Sequence, residues 1–381
     1  MIQPTIHWLG AGLSSSPGII RLATAGRELV LWNRTVQRAV DVFSEMEKPA
    51  TTAVRKFEFP DFQNAVRAGD IVVSMLPATM HLDIAAVCLL KKAHLVTTSY
   101  ISEGMKQLND PAAALQLCFV NECGLDPGID HVFAHLLVKA WKESAAFDPS
   151  ASLDFKSYCG GVPKQPNDFK YKFSWSPAGV LRALTNRARF IEQGQEAFAE
   201  RAWESVRNLA IRGEVFEVYP NRDSLPYVGE YGFEQSWQVR GFVRGTIRLG
   251  GWSKAWESIF AEIPGASNEK IEAMGADLWR KYAYARNEQD RVVLFVSLTA
   301  KRNGATLFDK AYFIDDSGAG RMTAMARLVS WPATFAVEAV AHGRVKPGVS
   351  GAPRQPSEMH DWLESLRSAG VVIQEDTARC G

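Results

Sequence analysis

A short apolar run near the start of the chain ends in Gly10-Ala11-Gly12. Glycines at that spacing meet one physical need. The first permits a tight turn, and the second lets backbone approach a pyrophosphate that faces the N–H groups of the following helix. The third small position of the pattern falls on Ser15, which still permits close packing of that helix on the strand. About 20 residues on, where an acid would accept from a ribose 2′-hydroxyl, the chain reads Trp32-Asn33-Arg34-Thr35. Neutral Asn33 removes a repulsive charge, and Arg34 offers a guanidinium fork to a 2′-phosphate. The competing reading of Arg34 is a solvated residue opening a helix. The pattern therefore predicts a dinucleotide site that prefers NADP. Its candidate residues are Gly10, Gly12, Leu13, Ser14, Asn33, Arg34 and Thr35, with Ser74, Leu76, Pro77, Thr98 and Ser99 beyond the next apolar runs.

The elements that must position these residues are legible nearby. Strands are expected over residues 5–9, 28–32, 70–75 and 94–98, and helices over 17–25, 36–46 and 84–92. Strand and helix alternating through short turns predict an α/β, doubly wound parallel Rossmann sheet. After residue 130 the pattern changes. A helix over 131–142 leads into segments rich in aromatics, glycine and arginine, with strands expected over 241–249, 291–300 and 311–314. That composition predicts a second, α+β domain on a mostly antiparallel sheet. The expected division is 1–130 for nucleotide and 131–321 for substrate and dimer contacts, with a helical insertion near 253–284. Residues 322–381, including a long helix over 325–340, are expected to return to the first domain.

The 381 residues carry 43 basic and 42 acidic side chains, a net charge of +1, with no block of one sign. The electrostatic footprint of a nucleic-acid binder is missing. No apolar run approaches the roughly 18–20 residues of a membrane span. Residues 1–12 lack the basic and apolar regions of a secretion signal. Cys88, Cys118, Cys123, Cys159 and Cys380 are scattered and odd in number, unlike a disulfide framework. A cytoplasmic protein acting on a small molecule is expected. His131 and His135 stand one helical turn apart, but no third ligand accompanies them, so packing is expected rather than a metal.

Further motifs run through the chain: Thr98-Ser99-Tyr100; Asn121-Glu122-Cys123-Gly124-Leu125-Asp126-Pro127-Gly128-Ile129-Asp130-His131; and Ser157-Tyr158-Cys159-Gly160-Gly161. They continue with Tyr171-Lys172-Phe173-Ser174-Trp175-Ser176, Tyr219-Pro220-Asn221-Arg222-Asp223-Ser224, Arg244-Gly245-Thr246-Ile247-Arg248 and Thr323-Ala324-Met325-Ala326-Arg327. Together they resemble the L-glutamate-forming saccharopine dehydrogenase (saccharopine reductase) family. The resemblance implies oxidation of a secondary amine: hydride passes from the lysine ε-carbon of saccharopine to NADP, and water releases glutamate and aminoadipate semialdehyde, or the reverse. It also implies a homodimer.

Three carboxylates on such a substrate require placed cations. Arg222 is the leading candidate, with Arg244 and Lys172 behind it and Asn221 and Thr246 as neutral donors; the alternative for each arginine is a structural pair with an acid such as Asp223. Proton transfer near the amine falls to Tyr100, Asp126 and Cys159, which the resemblance places in motifs at the domain junction. Asp126 also reads as a turn-forming carboxylate and Cys159 as a small packed residue. Two segments depart from the family pattern, the basic loop 162–169 and Ala78-Thr79-Met80-His81, and both are expected to line the pocket. One rival reading is a related NADPH-dependent imine reductase, such as a carboxynorspermidine dehydrogenase, which would need anionic groups for a polycation. The other is a non-catalytic nucleotide-binding Rossmann scaffold.

Overall fold

The computed structural model describes residues 3–377; Cys380 lies outside the described residues. The chain divides into two units. One runs to His131 and resumes over Met325–Ser365; the other comprises Val132–Ala324 and the chain from Leu366 on.

In the first unit, β1 (Ile6–Leu9), β2 (Leu29–Asn33), β3 (Thr52–Lys56), β4 (Ile71–Ser74), β5 (His94–Thr97) and β6 (Cys118–Val120) join a strand at Gly348–Ser350 in a parallel sheet. The order is Gly348–Ser350, β6, β5, β4, β1, β2, β3. Strand order reverses between β1 and β4, the switch point at whose carboxyl edge open α/β sheets bind ligands. β1 and β4 are buried at every position, because helices cover both faces and leave no solvent side to alternate with. β3 sits at the edge and is largely exposed. Its Thr-Ala-Val-Arg-Lys composition suits an edge and hid it from the sequence reading, which also lacked β6 and Gly348–Ser350.

A buried polar chain ties the central strands. Trp32 Nε1 can only donate, so His7 Nδ1 accepts from it at 3.1 Å and His7 Nε2 carries its proton to Asp70 at 3.2 Å. Asp70 also accepts from the Arg67 N–H at 2.7 Å. The helix Ser16–Thr24 packs through Ile19, Leu22 and Ala23. Ser15 is buried, as its small size allows, and a further close approach falls at Gly18. A Cβ on Gly18 would stand 2.6 Å from the Trp8 ring and 2.8 Å from Ser330 in the helix Ala324–Ala341. The Gly18 N–H donates to Ser330 Oγ at 2.8 Å. Arg27 adds a forked pair with Glu338, so this late helix belongs to the nucleotide unit. The helix expected over 36–46 stops earlier, at Val36–Asp41.

The second unit is built on β7 (Ser152–Pro163), β8 (Ala188–Glu192), β9 (Gln195–Ala199), β10 (Arg207–Ile211), β11 (Glu214–Pro220), β12 (Gln238–Leu249), β13 (Asp290–Arg302), β14 (Ala305–Gly318) and a strand at Ile373–Asp376. All pairings are antiparallel except β12 with β7. Ile373–Asp376 pairs with β14, so the expected return of 322–381 to the first unit fails from Leu366 on. A one-strand sheet extension needs only an unpaired edge, which no local pattern announces.

Side chains of this sheet alternate between faces. One face carries Tyr158, Phe216, Val218, Ile247, Val293, Phe295 and Phe313 in a continuous core. A helical layer lies elsewhere in the unit, formed by Pro177–Thr185, Trp252–Ala255, Glu257–Glu262 and Asn268–Tyr282 around Phe169, Tyr171, Trp252 and Trp256. Tyr219 of β11 belongs to that second cluster.

Candidate functional site

At the carboxyl edge of the first sheet, Gly10 has φ +99°, and a Cβ there would lie 3.3 Å from the Met75 carbonyl oxygen. A side chain would strain the backbone and press on the end of β4. Gly12 is exposed with open space where a Cβ would be, leaving its backbone reachable. Pro17 in the first turn of Ser16–Thr24 pre-sets the helical φ. The turn, the helix start and exposed Arg34 together fit a dinucleotide: N–H groups for the pyrophosphate and a guanidinium beside the second strand's end. Asn33 does more than vacate an acidic slot. Its Oδ1 accepts from the Ala11 N–H at 3.0 Å and its Nδ2 donates to the Thr35 carbonyl at 2.8 Å. The same residue thus clasps the glycine turn to β2. Leu13 and Thr35 are exposed, and Ser14 is half-buried.

Farther along that edge, Ser74 ends β4 and meets His81 Nδ1 at 3.1 Å, while His81 Nε2 lies 2.9 Å from Ser99 Oγ. Thr98 Oγ1 donates to Met75 Sδ at 3.8 Å. Thr97 Oγ1 donates to Asn121 Oδ1 at 3.1 Å and accepts from the Ser99 N–H at 3.3 Å. Leu76 and Pro77 lead from β4 toward the short helix Ala78–Met80. The Tyr100 hydroxyl donates to Asp126 Oδ1 at 2.6 Å. The Tyr100 and His131 rings meet edge to face at 6.4 Å. Glu122, almost fully buried, accepts from the Ile101 N–H at 3.2 Å and lies 3.7 Å from His131 Nε2. Two of the three proton-transfer candidates are therefore in direct contact within the first unit.

The second unit carries three of the remaining candidates, Cys159, Arg244 and Thr246, on strands of one sheet. In the β12 to β7 register Thr246 stands beside Cys159, and in the β11 to β12 register it stands beside Tyr219. Asn221 Nδ2 donates to Thr246 Oγ1 at 2.7 Å. Arg244 and Arg248 share the Thr246 face by alternation. Both are buried. The Arg244 guanidinium lies over the Tyr227 ring at 4.1 Å. That of Arg248 lies among Tyr171, Tyr219 and Trp252 at 4.9, 5.5 and 5.4 Å. Nε of Arg248 has no hydrogen-bond partner among the described residues. Arg222 is exposed with φ +61°. Its neighbour Asp223 is held by Arg189 Nε at 3.0 Å and accepts from the Leu225 N–H at 3.0 Å. Lys172 Nζ donates to Glu288 Oε2 at 2.5 Å, the structural ion pair that competes with a substrate role.

Three residues stand outside the roles expected from the sequence. Arg248 lay inside a quoted motif without a role, Gly18 lay outside the glycine pattern, and His81 was read only as a pocket wall. His135 packs edge-on against Tyr231 at 5.4 Å. Among the described residues no group of His, Cys, Asp or Glu is arranged to hold a metal ion, and no helix is long and apolar enough to cross a membrane.

A Rossmann unit with a 2′-phosphate-compatible strand end, followed by a mixed sheet bearing buried cations, defines an NADP-dependent oxidoreductase. The Saccharopine dehydrogenase NADP binding domain matches residues 6–120, and the Saccharopine dehydrogenase C-terminal domain matches residues 124–371. The chain belongs to the saccharopine dehydrogenase family. It is 31% identical over 310 residues to the NADP(+), L-glutamate-forming saccharopine dehydrogenase of Pyricularia oryzae, covering 78% of this chain and 67% of that one. It is 31% identical over 262 residues to the mitochondrial alpha-aminoadipic semialdehyde synthase of Mus musculus, covering 65% of this chain but 27% of that one. Apo saccharopine dehydrogenase (L-Glu forming) from Saccharomyces cerevisiae shares the fold. Its TM-score is 0.81 at 24% identity, with 99% of this chain and 100% of that one covered.

Proposed function

We propose that the chain interconverts saccharopine and water with glutamate and aminoadipate semialdehyde, using NADP. When bound, the nicotinamide exchanges hydride with the substrate carbon. The protein's own residues must hold the carboxylates, place the amine and move protons. The observation that carries this reading is the 2.6 Å hydrogen bond from Tyr100 to Asp126. A phenol donating to a carboxylate forms a pair that can pass a proton to or from an amine nitrogen or an added water. The substrate amine itself can share that task.

Carboxylate binding falls to Arg222, Arg244 and Arg248, with Asn221 and Thr246 as neutral donors, Lys172 as a weaker cation and Cys159 beside Thr246. A buried guanidinium is costly unless its N–H groups find acceptors. Buried cations set against aromatic rings, Arg248 and Arg244 among them, suit an anionic substrate better than a polyamine. The same reading includes a cytoplasmic homodimer. The homodimer follows from the family resemblance alone, and the location is supported by free, buried thiols at Cys88, Cys118, Cys123 and Cys159, which suit a reducing compartment.

The test is NADP reduction by purified protein with saccharopine and, separately, carboxynorspermidine, in the wild type and Tyr100→Phe. Saccharopine alone should support turnover, and the variant should lose about ten- to a hundredfold in kcat. Turnover of carboxynorspermidine alone would transfer the chain to the imine reductases. NADPH binding without turnover of either would leave a scaffold.

A further inference from the structure

His81 opens the helix His81–Lys91 and is buried, only 5% exposed. Its Nδ1 lies 3.1 Å from Ser74 Oγ and its Nε2 2.9 Å from Ser99 Oγ. The two serines come from neighbouring parallel strands. Ser74 is the last residue of β4, and Ser99 follows β5 by two positions. Burial lowers the ring's pKa to about 4, so near neutral pH the imidazole has one N–H and one lone pair. It therefore donates to one serine and accepts from the other. The ring is a directional link between two strand ends, which a hydrocarbon of the same size cannot be.

What hangs from that link argues against simple core filling. Ser74 precedes Met75, whose carbonyl limits the space at Gly10. Ser99 precedes Tyr100, whose hydroxyl meets Asp126. On its other side the Ser99 N–H is held by Thr97 Oγ1, itself bonded to Asn121. The Ser99 side chain is thus fixed by His81 and its backbone by Thr97, immediately before Tyr100 leaves the strand end. The Ser99 carbonyl accepts from the Glu122 N–H at 3.0 Å, so main-chain bonds tie this segment toward β6 while His81 is the side-chain link toward β4.

We propose that His81 is a positioning residue of the nucleotide edge: by bridging Ser74 and Ser99 it sets the spacing of the β4 and β5 ends and the placement of Tyr100. This rests on reading that edge as the NADP site. It assigns His81 no contact with substrate and no proton transfer.

His81→Phe keeps the ring's bulk and removes both hydrogen bonds, whereas His81→Gln restores a donor and an acceptor on one planar group. Three readouts apply: NADPH dissociation constants of the apo proteins by fluorescence titration, kcat and KM with saccharopine, and melting temperature. His81→Phe should weaken NADPH binding and lower kcat by about tenfold each, the scale of a lost buried hydrogen bond. His81→Gln should recover most of both. His81→Phe with wild-type NADPH affinity and kcat would overturn the proposal. So would equal defects in the Phe and Gln variants that track a common fall in melting temperature, because that pattern means packing alone. If His81→Phe does not fold, His81→Met decides by the same NADPH titration, and unchanged affinity counts against the link. A wild-type protein that fails to bind NADPH sinks the site reading itself, and the proposal with it.

Discussion

In the proposed function the two units meet their ligands in opposite ways. The first carries its proposed nucleotide site at the edge of a parallel sheet, among a glycine turn, a helix start and small hydroxyls tied together by hydrogen bonds. The second presents the face of a mostly antiparallel sheet, where long side chains, two buried arginines among them, stand on rings. A diphosphate is the same in every dinucleotide, so backbone geometry suffices and tolerates little change. An amino-acid substrate differs between enzymes, so its groups are met by side chains, which substitute without rebuilding the sheet. The units should therefore fail independently, and in different kinetic parameters.

The strongest test of that independence is Arg222→Lys. A point charge cannot reproduce a fork-to-carboxylate pair, and kcat/KM for saccharopine should fall by about a hundredfold, near the upper range for a charge-assisted bond. NADPH affinity should stay within about twofold. A parallel loss of NADPH binding would break the comparison, and an unchanged kcat/KM would pass the carboxylate role to Arg244 and Arg248. The mirror experiment is Arg34→Ala. Loss of a phosphate pair, about 1.5–3 kcal/mol, should raise the KM for NADPH at least tenfold and leave that for NADH nearly unchanged. Equal affinity of the wild type for both cofactors by calorimetry would remove this role from Arg34.

The smallest expected effect is on stability and sharpens the picture of the nucleotide edge. With its pKa lowered to about 4 in the folded protein against about 6.5 unfolded, His81 takes up a proton on unfolding between those values. Its contribution is complete above pH 6.5 and is lost as pH falls toward 4. From about pH 8 to about pH 5.5 the loss should be on the order of 1 kcal/mol. Thermal melts should show this slope in the wild type and a flatter one in His81→Gln. Matching slopes would mean that other groups carry the pH dependence.

How much of this was readable in advance follows from the range of each interaction. The strand-to-glycine turn at Gly10, the Asn33-Arg34 strand end, the fully covered strands β1 and β4 and the change of pattern after residue 130 are local features. Backbone sterics and hydrophobic periodicity write them within a few residues, and the ordered motifs carried the family. The edge strand β3 and the late strand Ile373–Asp376 were not legible, since neither buries an alternating apolar face. The rest depended on chain segments that only folding brings together. Gly18 needs its missing Cβ because of Ser330, 312 residues away. Arg248 becomes a binding candidate through rings at positions 171, 219 and 252. His81 is a bridge only because β4 and β5 lie side by side in register. The sequence by itself determined which residues could turn, extend or carry charge. Tertiary structure decided which of them meet, because hydrogen bonds and cation–ring contacts act over a few ångströms of space and take no account of separation along the chain.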